Sequence, residues 1–207
     1  MIYVKVNRNR AFKEAGCQLK SLILLLGFSS ALAVSGTSPS HGEPFQHRFG
    51  ELREYHKHWL AVCPNKHDPQ SKSSYQTTCW ASTYLGKSGD YLLGTLSVSR
   101  NRVTGAHGIT FVTDAYTRLD RTAPVSLRFS DGAKMQFSFG TQIVNTRSIN
   151  QFAIADSEVE KMLSAMKRTN GMTLILPTDS GKEKFRYSMI GLRAALKFTS
   201  KYARPRS

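Results

Sequence analysis

The sequence predicts a mainly β protein, an antiparallel β-sandwich or barrel-like domain with one amphipathic helix and a short C-terminal helix. Three observations lead to this fold class. Short segments in which apolar and polar residues alternate recur along the chain, turn-forming residues separate them, and the period of the apolar positions changes near residue 156. Alternation with period two is typical of strands that bury one face, whereas spacings of three and four residues are typical of a helix.

The first predicted strands carry the two cysteines that follow residue 36. Segment 58–63 has strand character, and its residues Trp59, Ala61 and Cys63 share one face. A polar segment with two prolines then predicts a loop over 64–74. The extended segments that follow are a second strand at 75–85, with Cys79 facing Cys63, a third strand at 91–98, and residues 109–112 after a turn-rich connection.

The clearest local pattern is a hairpin around Asp131-Gly132. Apolar residues alternate with polar ones on both sides of this dipeptide, at Val125, Leu127 and Phe129 before it and at Met135, Phe137 and Phe139 after it. Because Asp and Gly tolerate positive φ, two period-two segments around this pair predict a β-hairpin.

A helix is predicted from Asp156, which is a candidate N-cap, to the Asn170-Gly171 pair. Acidic residues stand near its start and basic residues near its end, and its apolar residues fall on one face, at Val159, Met162, Leu163 and Met166. Further along, the sequence predicts two strands around a turn at 177–181 and a C-terminal helix, over 172–176, 185–190 and 192–198.

The first 36 residues have the composition of a cleavable secretory signal. Five basic residues and one acidic residue precede or flank an apolar run over 22–34, and small residues follow it. The alternative is an uncleaved anchor, but the run is shorter than the roughly 20 apolar residues that a membrane-spanning helix needs. We therefore expect a signal at 1–36, a flexible leader at 37–54 and a single domain at 55–207, located in the periplasm, at the outer membrane or outside the cell.

The charge of the chain predicts anionic partners. The full sequence has 29 basic and 14 acidic residues, a net charge of +15, and removal of residues 1–36 leaves +11. A positive field of this size favours phospholipid head groups, lipopolysaccharide, acidic glycans or nucleic acid met outside the cell, and export makes cytoplasmic nucleic acid an unexpected partner. A surface that is charged only for solubility is the alternative, because the basic residues are scattered.

Two cysteines remain after the signal, Cys63 and Cys79. In an oxidising compartment they most simply form a disulfide with each other. A metal site would need further ligands, and the nearby histidines, His56, His58 and His67, do not have the spacing of structural zinc sites. A catalytic thiol would need an activating histidine, which the sequence does not locate. No metal or cofactor is expected.

Catalytic motifs are missing from the sequence. It has no Gly-x-Ser-x-Gly elbow, no Ser-x-x-Lys and no phosphate-binding glycine loop. A hydrolytic site formed by two carboxylates is an alternative, because the sequence does not determine which aspartates lie close together in space. The candidates are Asp114, Asp120, Asp131, Asp156 and Asp179. We expect a protein without enzymatic activity, with an unrecognised hydrolase as an alternative.

Two groups of residues are candidates for a binding face. Aromatic residues flank the cysteines, at Trp59, Tyr75, Trp80 and Tyr84. They either pack over the disulfide as core or form a face for a carbohydrate or a protein partner. Basic residues surround the predicted hairpin, at Arg118, Arg121, Arg128 and Lys134, although no known nucleic-acid motif contains them.

Several of these segments together resemble the invasion-associated locus B family of exported bacterial proteins. The resemblance covers about residues 55–201 and rests on the order of its motifs, which are the strand 59–63 ending in cysteine, the segment 123–127 with the hairpin, the segment 162–175, and the closing pattern 187–196. Family members often have a second cysteine pair after the hairpin, and residues 142–152 contain none. The chain therefore resembles a divergent member.

The resemblance implies a non-enzymatic exported protein that supports host-cell invasion or envelope function. A basic module that binds an anionic envelope ligand such as lipopolysaccharide is the alternative that the charge favours. The sequence does not give the oligomeric state.

Overall fold

A computed structural model describes residues 42–71, 73–86, 92–113, 118–146 and 150–203. The expected signal at 1–36 and the start of the expected leader lie outside the described residues. None of the helices in the described ranges is long and apolar enough to cross a membrane.

Strands dominate the described part of the chain. In chain order they are Phe45–His47 (β1), Glu51–His56 (β2), Trp59–Pro64 (β3), Thr78–Gly86 (β4), Leu92–Asn101 (β5), His107–Thr113 (β6), Val125–Phe129 (β7), Lys134–Phe137 (β8), Ile143–Asn145 (β9), Gln151–Ile154 (β10), Gly171–Thr178 (β11) and Gly181–Ser188 (β12). The helices are Ser74–Thr77 (α1), Asp156–Arg168 (α2) and Leu192–Ala203 (α3).

These strands form two antiparallel sheets. The large sheet has the order β1-β2-β3-β4-β5-β6-β10-β9, and the small sheet has the order β12-β11-β7-β8. Most short connections join neighbouring strands, although the short segment between β8 and β9 crosses from the small sheet to the large one. Strand β7 pairs with β11 across the segment that contains β8, β9, β10 and α2. This non-local pairing joins two hairpins, β7–β8 and β11–β12, into the small sheet.

The core lies between the sheets and under the helices. The ring centroids of Phe111 in the large sheet and Tyr187 in the small sheet are 6.0 Å apart. Helix α3 packs on strands β2 to β5, and α2 contacts β6. The largest side chains with less than 2 % exposure are Trp59, Phe111, Phe137, Phe152, Leu96, Ile109, Leu127, Ile143, Met162, Leu163, Met166 and Leu174.

The predicted fold class is confirmed. The protein is mainly β with two antiparallel sheets that do not close into a barrel, so the sandwich is the form adopted, and a C-terminal helix is present. The hairpin at Asp131-Gly132 pairs Val125 with Phe137 and Leu127 with Met135. The predicted face of α2 is buried in full, at Val159, Met162, Leu163 and Met166.

The segment expected to be a flexible leader, residues 37–54, contains ordered strands in its described part. Strand β1 pairs with β2, and β2 continues the sheet by pairing with β3. The composition of this segment is polar, yet Glu51 is buried because Arg53 and Tyr75 bind its carboxylate. The segment is therefore ordered despite its polar composition, because it pairs with a neighbouring strand and its buried carboxylate has partners.

Two local predictions are wrong in detail. The second strand begins at Thr78 instead of residue 75, because one turn of helix, α1, precedes it. That turn brings the Tyr75 hydroxyl to Glu51, a contact that the local sequence does not reveal. Asp156 is the first residue of α2 and not its cap; Ala155 holds the N-cap position without a side-chain hydrogen bond.

Candidate anion-binding site

The outer face of the small sheet carries five basic side chains, which we call the basic face. Along each strand of this sheet, alternate residues point into the core, among them Leu127, Leu174 and Tyr187. The residues between them face outward and include Arg128 on β7, Lys134 on β8, and Lys182, Lys184 and Arg186 on β12. All five side chains are exposed.

The strand register aligns these cations in a row and a column. Arg128 lies opposite Lys134 on one side and Thr173 on the other, and Thr173 lies opposite Arg186. With about 4.8 Å between neighbouring strands, this row extends about 14 Å across the sheet. On β12, Lys182, Lys184 and Arg186 occupy alternate positions, about 7 Å apart along the strand.

A shallow groove runs over this face. It has a volume of about 440 Å³ and is lined by Arg128, Lys134, Lys182 and Lys184. Between the cations the lining is mixed, with Ser126 and Gln136 beside the buried residues Ile175 and Pro177. An anion in this groove would meet charged side chains on both sides and a closely packed floor below.

The cations of the basic face have no acidic partner within the described residues. None of the five takes part in an ion pair there, and none of the outward positions of the four strands holds Asp or Glu. Two like charges 4 Å apart in water repel by about 1 kcal/mol, and the repulsion is stronger near a protein surface of low polarisability. Five unpaired cations on one face therefore create a local positive field that an anion would neutralise.

The sequence identifies part of this site. Arg128 and Lys134 are among the basic residues predicted near the hairpin, and the structure brings them together. Arg118 and Arg121 are exposed but lie outside the four strands, in the segment that leads into β7, and the guanidinium of Arg121 is 6.0 Å from the Phe139 ring centroid. The residues that sequence reasoning missed are the three cations of β12, whose signal was their alternation with Phe185 and Tyr187.

The four aromatic candidates do not form one face. Trp59 is fully buried, and its indole nitrogen donates a hydrogen bond to the carbonyl oxygen of Ser188 at 2.9 Å, which ties the large sheet to the end of β12. Trp59 is therefore part of the core. Tyr84 is 48 % exposed on β4.

Tyr75 and Trp80 lie together on the outer side of the large sheet, with ring centroids 5.7 Å apart. The Tyr75 hydroxyl donates a hydrogen bond to the Glu51 carboxylate at 2.7 Å, and Arg53 binds the other carboxylate oxygen. Burial, followed by the hydrogen bond to Glu51, raises the pKa of Tyr75 to about 12. This cluster anchors α1 and the loop before it to the large sheet.

A disulfide joins Cys63 on β3 to Cys79 on β4, as the sequence predicts. Val62 pairs with Trp80 in the register of these strands, and the two cysteines are the next residues along, with their Cα atoms 4.4 Å apart. Both cysteines are at most 2 % exposed. A cleft of about 450 Å³ that contains His67 and Arg102 lies beside Cys63.

The aspartates proposed for a hydrolytic pair occupy turns and a helix start. Asp120 accepts hydrogen bonds from the backbone and hydroxyl of Thr122, and these bonds lower the pKa of its carboxyl group. Asp131 accepts a hydrogen bond from the Ala133 amide, Asp179 lies in the β11–β12 turn, and Asp156 begins α2. Asp114 lies outside the described residues. Within the described ranges no three His, Cys, Asp or Glu side chains are grouped as a metal site would need.

No protein-family model, curated protein or solved structure matches the chain. The resemblance to the invasion-associated locus B family therefore stays a prediction from sequence.

Proposed function

We propose that this chain is an exported, non-enzymatic protein that binds an anionic component of the cell envelope or of a host-cell surface. The observation that carries the proposal is the basic face, on which five cations share one side of a four-stranded sheet without an acidic residue among them. The mature net charge expected from the sequence, +11, has the same sign and would increase the rate of encounter with a negatively charged surface.

The proposed location outside the cytoplasm rests on the N-terminal segment and on the cysteines. The basic and apolar order of residues 1–36 is typical of an export signal, and a disulfide such as Cys63–Cys79 persists in an oxidising compartment. Both features favour a periplasmic, surface-associated or secreted protein. A role in host-cell invasion is the more specific form of the proposal, and it rests on the family resemblance.

The proposed function includes no enzymatic activity, and the structural roles of the aspartates support this part of the proposal. Asp120 and Asp131 hold turns through hydrogen bonds to backbone amides, which is a structural function that needs no substrate. Among the described residues, the groove on the basic face is lined by cations, hydroxyl, amide and apolar side chains, and by no carboxylate, thiol or histidine with which to move a proton.

The test measures binding of the protein recovered from the periplasm to lipopolysaccharide micelles and to vesicles containing phosphatidylglycerol. The sheet variant, R128Q/K184Q/R186Q, removes three cations of the basic face. The control variant, R48Q/K66Q/K161Q, removes three exposed cations that do not line the groove, so that the net charge of the two variants is equal.

We expect the wild type and the control variant to bind one of these anionic surfaces, with an affinity that falls as salt rises because screening shortens the reach of exposed charges. The sheet variant should lose about tenfold or more in affinity, which corresponds to about 1.4 kcal/mol. Equal affinities of the two variants, or binding that does not respond to salt, would contradict the proposal.

A further inference from the structure

We propose that the ligand of the basic face is a linear acidic polysaccharide, bound along a continuous basic track that extends beyond the small sheet. This inference rests on the proposed function and specifies its ligand. Three neighbouring grooves form the track: the sheet groove already described, a junction groove of about 240 Å³ at the start of β11, and a helix-end groove of about 400 Å³ between the end of α2 and the start of α3.

The sheet groove and the junction groove share a wall. Arg128 on β7 lines both of them, and Arg186 on β12 also lines the junction groove. The junction groove also contains Gly171, and the helix-end groove contains Asn170, the residue directly before it. Arg128 thus joins the first two grooves, and two consecutive residues, Asn170 and Gly171, line the third and the second.

Backbone and side-chain hydrogen bonds hold this junction in place. The amide of Ser130, in the hairpin turn, donates to the carbonyl oxygen of Gly171 at 2.9 Å, and the hydroxyl of Thr169 binds both residues. The amide of Met189 donates to the carbonyl oxygen of Asn170, also at 2.9 Å. The backbone of the junction is therefore ordered before a ligand binds, and the entropy lost on binding comes mainly from the long Lys and Arg side chains.

The helix-end groove adds four cations to the five of the basic face. They are Lys57, Lys167, Arg168 and Arg193, and none of them takes part in an ion pair within the described residues. Arg193 is positioned by a hydrogen bond from its Nε to the carbonyl oxygen of Lys167 at 2.6 Å. In the described part of the chain, the residues that line the three grooves include nine cations and neither Asp nor Glu.

The shape and chemistry of the track favour a linear acidic glycan. Nine cations distributed over three grooves exceed what one phosphate or carboxylate can contact, whereas a chain with repeated negative charges can contact them in succession. Two rings line the track among the residues that the structure describes, Phe129 and Tyr187, and both are buried. These described residues therefore offer no exposed aromatic surface on which the bases of a single-stranded nucleic acid would stack. The cations also line concave surfaces, which a flat bilayer contacts less fully than a chain does.

The experiment measures the affinity of the full exported protein for heparin-derived oligosaccharides of increasing length, from disaccharide to dodecasaccharide. Three variants with equal net charge are compared: the sheet variant, the helix-end variant K57Q/K167Q/R168Q, and the control variant R48Q/K66Q/K161Q. Circular dichroism establishes that each variant is folded, and the single substitutions Lys184→Gln and Lys167→Gln replace a triple variant that does not fold.

We expect the affinity of the wild type to rise with chain length and the longest oligosaccharide to bind about tenfold or more tightly than the disaccharide. The sheet and helix-end variants should each lower the affinity for the longest chain by about tenfold, and their combination should lower it by about a hundredfold, because separate contacts with one ligand add in free energy. The control variant should behave like the wild type within about threefold.

Three results would overturn the inference. The first is an affinity that does not depend on chain length, and the second is a helix-end variant that binds the longest chain as tightly as the control. The third is binding to anionic vesicles without binding to any oligosaccharide, which would identify a membrane as the ligand and leave the proposed function intact. If the protein binds neither oligosaccharides nor lipopolysaccharide nor vesicles, the proposed function itself fails.

Discussion

Gly191 lies between β12 and α3, where the structure leaves no space for a side chain. Its φ is +99°, and a Cβ atom at this position would overlap the carbonyl oxygen of His56 and come within 2.8 Å of the carbonyl carbon. Because the obstacle is backbone at the end of β2, the substitution Gly191→Ala forces the β2–β3 turn or the start of α3 to move. Gly132 is a matched control, with a φ of +90° and no atom within 4 Å of its Cβ position.

Both substitutions destabilise the fold through the positive φ, and they differ in whether the added atom also meets a packed site. The positive φ costs an alanine about 1 to 2 kcal/mol at either site. Forcing an atom into a packed site costs about 1 to 3 kcal/mol more, and only Gly191→Ala incurs this cost. We therefore expect Gly132→Ala to lower the free energy of unfolding by about 1 to 2 kcal/mol and Gly191→Ala by about 2 to 5 kcal/mol, a large part of the roughly 5 to 15 kcal/mol that stabilises an ordinary domain.

Urea unfolding followed by tryptophan fluorescence measures this difference, because Trp59 is fully buried in the native state. The midpoint should fall further for Gly191→Ala while the slope of the transition stays that of the wild type. Equal losses of unfolding free energy for the two variants would refute the reasoning, since they would show that His56 and its neighbours make room for the added atom without cost.

Two further predictions concern the disulfide and Tyr75. Mass measurement after alkylation under non-reducing conditions should detect no free thiol at Cys63 and Cys79 in protein from the periplasm, and two alkylated thiols would contradict this expectation. Replacing both cysteines by alanine should lower the free energy of unfolding by about 3 kcal/mol, since the closed loop has a sequence separation of 16 residues. The raised pKa of Tyr75, about 12, means that the stability it contributes is present below the unfolded-state pKa, near 10, and is lost as the pH rises towards 12. Ultraviolet titration of the wild type against Tyr75→Phe should locate this step, and Glu51→Gln should lower the pKa, because it removes the carboxylate that disfavours the tyrosinate; an unchanged pKa would show that Glu51 has no effect.

The hairpin around Asp131-Gly132 and the helices α2 and α3 could be predicted because their causes are local. The alternation on either side of Asp131-Gly132 determines which residues of β7 and β8 are buried, and the apolar spacing of α2 determines its buried face. The disulfide could be predicted because two cysteines remained after the signal, although their position at adjacent points of the β3–β4 pair depends on the strand register.

The basic face could be predicted only in part, because it depends on a pairing between distant strands. Within each hairpin, alternation indicates that Arg128 and Lys134 share a side, and that Lys182, Lys184 and Arg186 share a side. Only the pairing of β7 with β11 places the two groups on one surface, and this pairing joins Leu127 to Leu174, residues separated by β8 to β10 and α2. A non-local contact of this kind leaves no mark in a short sequence window.

The strands of the leader were missed for a related reason. Residues 45–54 are polar because this end of the large sheet packs only partly against the core, and Phe45 is 40 % exposed. The order of the segment comes from hydrogen bonds to β3 and from the Glu51–Arg53–Tyr75 cluster, in which the buried Glu51 has one partner on its own strand, Arg53, and one from outside it, Tyr75. Composition alone predicts a flexible segment in such a case, because it counts charges without their partners.

The presence of cations on β12 also has a physical explanation that does not involve binding. The position of Arg128 distinguishes between the two explanations. Strand β12 is an edge of the small sheet, and lysines on an edge strand prevent pairing with other chains. Arg128, however, lies on β7, which has neighbours on both sides and no free edge to protect. Edge protection therefore accounts for Lys182 and Lys184 but not for a cation in the interior of the sheet that faces the same groove. Binding of an anion explains both, and for this reason Arg128 is the residue on which the proposed site depends most.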